Sequence, residues 1–142
     1  MPITTSVANV LTKRLPKILT PKGHAIADYL SIAGFFVAGA LFWRLNRRAA
    51  LAAFACGGAE LAVNLVTDYP GGVRNLISFP LHEKMDLGIA AMSASIPEFM
   101  GFADERQKAF FLAQAGIITA TTNLTTFSRP RLAFAKPRPK VA

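Results

Sequence analysis

Each of the two histidines in this chain stands four residues before an aspartate: His24 before Asp28, and His82 before Asp86. Residues at i and i+4 share one face of a helix, so each pair offers an imidazole nitrogen and a carboxylate oxygen to the same neighbour. Glu60 and Asn64 have the same spacing. Two imidazoles with two or three carboxylates suit a divalent metal such as zinc, iron or manganese, chelated from two helices. His24, Asp28, His82 and Asp86 would be direct ligands, and Glu60 a further ligand or a general base. The same groups suit a proton or ion relay, because histidine titrates near neutrality and a deep glutamate can exchange protons with it. A third reading is structural: Asp28 and Asp86 at the positive ends of helices, with Asn64 and Asn123 bonding between helices. The residues alone leave the three open.

Other chemistries lack their residues. There is no GxGxxG, P-loop, HExxH or Gly-x-Ser-x-Gly pattern, and no serine or cysteine is placed beside a histidine on one helix face, which argues against nucleophilic hydrolysis. Cys56 is the single cysteine, so no intramolecular disulfide is available.

The elements that must position these groups are apolar. The chain has 142 residues, 52% of them hydrophobic and 17% charged, and a mean hydropathy of +0.36. That balance points to an integral membrane protein. The net charge of +8 sits in tails and connections, where topology and lipid phosphates require it, so anionic lipid rather than nucleic acid is the expected partner. Apolar runs over residues 25–43, 49–67, 85–102 and 108–127 are each about 19 residues, enough to span about 30 Å of hydrocarbon as helix. Short connections at 44–48 and 103–107 make two antiparallel hairpins, joined by a Pro- and Gly-containing segment at 68–79. The expectation is an all-α four-helix membrane bundle.

The hairpins also read as repeats, 21–72 and 78–130. His24 and Asp28 match His82 and Asp86, and Asn64 with Thr67 matches Asn123 with Thr126 after one inserted residue. Two spans per repeat give both copies the same orientation. His24, Asp28, His82, Asp86, Asn64, Thr67, Asp68, Asn123 and Thr126 then converge at one depth, with Glu60 about one turn deeper. The polar interhelical network expected there comprises Asn64, Thr67, Asp68, Asn123 and Thr126. Glu98 belongs at the opposite end, beyond Pro97.

Lys and Arg are more numerous on the side of the termini, which places both termini in the cytoplasm of a bacterial inner membrane. Trp43, Phe42, Phe99, Phe102, Phe110 and Phe111 would form an outer aromatic belt, and Tyr29, Tyr69, Phe79 and Phe127 an inner one. Gly34 with Ala38, Ala91 with Ser95, and Gly116 with Ala120 would let helices approach closely. Residues 1–20 read as an interfacial arm, with an amphipathic helix that stops near Pro16. Residues 131–142 read as a basic, Pro-rich tail attracted to anionic lipid. A membrane-protein partner or a second copy of the chain is also expected, the first if the protein is an accessory or structural subunit of a larger complex.

Residues 82–102, with His82, Asp86, Ser95, Pro97 and Gly101, resemble one unit of the SPW-repeat membrane proteins. That family has paired spans, an acidic residue early in the first helix of each unit and a Ser-Pro-Trp near its end. This chain has Ser95-Ile96-Pro97-Glu98 there, and residues 35–43 contain no proline. The resemblance implies a fold and carries no catalytic residue over.

Overall fold

The computed structural model describes residues 16–127. Four helices account for most of them: α1 (Pro21–Phe42), α2 (Arg47–Val66), α3 (Phe79–Phe99) and α4 (Lys108–Leu124). Two-residue strands β1 (Thr67–Asp68) and β2 (Ile77–Ser78) lie between α2 and α3 and pair in parallel. Helix α1 packs on α2 and on α4, and α3 packs on α4 and on α2.

Local sequence explains where the helices begin and end. Thr20 caps α1 by accepting from the Gly23 amide, and Ser78 caps α3 by accepting from the Leu81 amide. A proline follows each cap in the first turn, where no amide donor is needed. Ser78 is why the third helix starts at Phe79 rather than at residue 85, the start of its apolar run. Helix α2 is capped by Asn46.

Helices α2 and α4 stop in the same way. Thr67 and Thr125 both take extended backbone, at φ −87° and ψ 139° and at φ −92° and ψ 144°. Thr67 then pairs with Ile77 in the small sheet, and Thr125 pairs in parallel with Leu19. Gly72 allows the chain to turn back behind β1, because a Cβ there would collide with the Thr67 carbonyl. These pairings bring the starts of α1 and α3 and the ends of α2 and α4 to one end of the molecule.

A hydrophobic layer fills the opposite half, built on Phe35, Ala49, Ala53, Cys56, Phe102 and Phe111, all 1% exposed or less. Phe102 and Phe111 are therefore core residues rather than part of an outer belt, since their rings pack on each other between helices. Phe79 and Phe127 are likewise buried, against His24. Trp43 and Phe99 are exposed as expected. Of the small residues, Gly34 makes room for Gln114 and Ala38 is buried. Ala91, Ser95, Gly116 and Ala120 are exposed and bring none of the four described helices together.

Two helices, α1 and α2, are long and apolar enough to cross a membrane. Residues 1–15 of the expected arm and the whole tail at 131–142 lie outside the described residues. Pro16 to Thr20, the end of that arm, are not helical.

Candidate metal centre

The i, i+4 spacing on α1 and α3 turns His24 and Asp28, and His82 and Asp86, toward each other. All four side chains are nine-tenths or more buried. One ligand atom from each lies within 4.8 Å of the other three. His24 Nε2 is 3.3 Å from Asp28 Oδ2 and 3.0 Å from Asp86 Oδ2. His82 Nε2 is 3.3 Å from Asp28 Oδ2 and 3.2 Å from Asp86 Oδ2. The two Nε2 atoms are 3.3 Å apart. A tetrahedral ion with bonds of about 2.0–2.2 Å separates its ligand atoms by about 3.3–3.6 Å. These five distances lie at or just below that edge length and the whole set lies within 4.8 Å, so the cluster could hold a metal.

The back of each imidazole shows which nitrogen carries a proton. His24 Nδ1 lies 2.8 Å from Thr125 Oγ1, and His82 Nδ1 lies 2.8 Å from Thr67 Oγ1. Each threonine hydroxyl has one proton and donates it to its own helix: Thr67 to the Val63 carbonyl at 2.6 Å, Thr125 to the Thr121 carbonyl at 2.7 Å. Both hydroxyls must therefore accept from the imidazoles. That places the Nδ1 proton on each ring and, in the neutral tautomer, leaves both Nε2 lone pairs facing the carboxylates. The extended ends of α2 and α4 thus orient the ligands carried by α1 and α3.

Aromatic rings close the site. His24 packs edge-on against Phe79 and Phe127, with ring centroids 5.6 Å and 5.1 Å away. Tyr69 lies 5.0 Å from the His82 ring, and its hydroxyl donates to Asp28 Oδ2 at 3.1 Å. Burial and then the adjacent Asp28 charge push the Tyr69 phenol upward, so it remains a neutral donor. Thr122 donates to Asp86 Oδ2 at 3.4 Å.

Some expected members lie elsewhere. Glu60 is buried one layer away, with its carboxylate on Ser31 at 3.1 Å, outside the set of four. Asn64 is fully buried, and neither its oxygen nor its nitrogen has a partner among the described residues. Asp68 is exposed. Asn123 is exposed and bonds back to Thr119 of its own helix. Thr67 is in the network, but its counterpart in the second half is Thr125 rather than Thr126. Matching Asn64 to Asn123 shifts the register by one. The 58-residue separation of the histidines, carried unchanged to the helix ends, leads from Thr67 to Thr125. Sequence reasoning also missed Ser31 and Gln114, whose only signal was being polar within apolar runs. Tyr69, Phe79 and Phe127 were expected at a membrane surface.

No protein-family model, no curated protein and no solved structure matches this chain. The resemblance of residues 82–102 to SPW-repeat proteins is accompanied by no family-model match.

Proposed function

We propose that this chain is a small integral membrane protein whose two helical hairpins, repeats of one unit packed as a four-helix bundle, clamp a divalent metal ion between them. His24, Asp28, His82 and Asp86 are the ligands, and zinc is the first candidate. The observation that carries this reading is the pair of Nε2 atoms 3.3 Å apart, each backed by a threonine that accepts the Nδ1 proton. Two imidazoles and two carboxylates converging away from water favour a cation between them. A divalent ion balances the two carboxylates while leaving both imidazoles neutral. A set of two nitrogen and two oxygen ligands favours zinc, whereas manganese prefers more oxygen ligands in an octahedron. With four protein ligands the centre resembles a closed structural site rather than one with an open position for substrate.

The membrane reading is supported by α1 and α2, which point Ile26, Leu30, Val37, Leu41 and Leu51 outward, each more than half exposed. Such apolar faces suit lipid. The repeat reading is supported by the matched caps, ligands and threonines of the two halves.

The test is elemental mass spectrometry on protein purified in mild detergent, beside a His24→Ala/His82→Ala double variant. About one zinc per chain is expected in the parent and none in the variant, with occupancy falling on acidification because protons compete for the same atoms. A parent that holds no metal, and takes up none from added zinc, would falsify the proposal.

A further inference from the structure

One layer inward from the ligands lies a second buried polar group that the metal reading does not use. Ser31 on α1, Glu60 on α2 and Gln114 on α4 are all nine-tenths or more buried. Ser31 Oγ is 3.1 Å from Glu60 Oε2 and 3.3 Å from Gln114 Oε1. The Gln114 amide nitrogen donates to the Ser31 carbonyl at 3.5 Å, which turns the amide oxygen toward the serine hydroxyl. Turning the amide over would set two carbonyl oxygens against each other.

Three side-chain oxygens therefore meet, and the hydroxyl has a single proton to give. If Ser31 donates to Gln114, its oxygen faces Glu60 with lone pairs, and that contact needs a proton on the glutamate. We infer that Glu60 is held as a carboxylic acid, donating to Ser31, which donates on to Gln114, so that the three residues form a buried proton-binding site beside the metal centre.

The surroundings favour the neutral acid. Ser31 is the one hydrogen-bond partner of Glu60 among the described residues, and no lysine or arginine pairs with it. The other buried titratable groups on the packed elements are His24 and Asp28 on α1, Cys56 on α2, and His82 and Asp86 on α3. Helix α4 contributes the neutral Gln114. An ionised glutamate there would be a third buried carboxylate without its own cation, a costly arrangement in an apolar interior.

Infrared spectroscopy of the full chain at neutral pH, in ordinary and heavy water, tests this with Glu60→Gln and Ser31→Ala. The parent should show a carboxylic-acid carbonyl band that shifts in heavy water. The band should vanish in Glu60→Gln and move in Ser31→Ala, where the acid loses its acceptor. No acid band in the parent, a band unchanged in Glu60→Gln, or an unmoved band in Ser31→Ala overturns the assignment. Metal content keeps the two readings apart. Glu60→Gln that loses the band but keeps its metal supports the acid, whereas loss of metal makes Glu60 a ligand and overturns it. The band should persist in His24→Ala/His82→Ala, because the acid does not depend on the metal.

Discussion

At the end of the molecule where α1 and α3 begin, four ionisable side chains are buried, and each is fixed by a second residue behind it. At the opposite end Glu98, Glu105, Arg48 and Lys108 lie at the surface. Lys108 reaches Glu98 at 3.1 Å and Arg48 reaches Glu105 at 3.5 Å. Asn46 caps α2 and also donates to Glu105 at 2.7 Å, and Arg47 lies over the Trp43 ring at 4.9 Å. Both ends bring a carboxylate within 4 Å of a basic nitrogen. They differ in what a missing partner would cost. In water an exposed ion loses little when its counterion is removed. A buried carboxylate whose counter-charge is removed is left uncompensated. Position, more than residue type, makes one end a candidate site and the other a surface.

The largest effect should come from His24→Ala or His82→Ala. Either removes a ligand and leaves two buried carboxylates with one imidazole, a loss of about 3–5 kcal/mol by analogy with broken buried pairs. Zinc at about 100 times its dissociation constant should add about 2.7 kcal/mol to the parent and nothing to either variant. Thermal unfolding in detergent, with and without zinc, reads both effects. Equal zinc stabilisation of parent and variant would remove the distinction between the two ends.

A smaller change is expected from Thr67→Val and Thr125→Val. Valine keeps the shape but cannot accept the Nδ1 proton, so zinc affinity should drop by about 10–100-fold for each. Competition with a chelator measures this. Unchanged affinity would show that the threonines do not set the tautomer.

The smallest change belongs to the far end. Lys108→Met should alter stability by less than about 1 kcal/mol and leave zinc affinity as it was. A larger effect on metal binding would mean that the two ends communicate through the helices.

Much of the site was legible before any coordinates, since i, i+4 spacing places His24 with Asp28 and His82 with Asp86 on single helix faces. Helix existence was legible too, from apolar runs of spanning length. The start of α3 was not, because Ser78 and Pro80 begin the helix ahead of its apolar run. Nor was the burial of Phe102 and Phe111, because an aromatic near a helix end can face lipid or a neighbouring helix, and only packing selects.

The sequence by itself determined which side chains could act as ligands, which helix carries each and how each pair is aligned along its axis. Those are local properties, set by covalent order and helical period. The tertiary structure alone decided that the two pairs meet, that Thr125 rather than Thr126 supports His24, and that Glu60 bonds to Ser31 outside the four-atom cluster. Each of these depends on the rotation of one helix against another. That rotation is set by packed side chains such as Phe111 and Gln114, which lie far from the ligands in the chain.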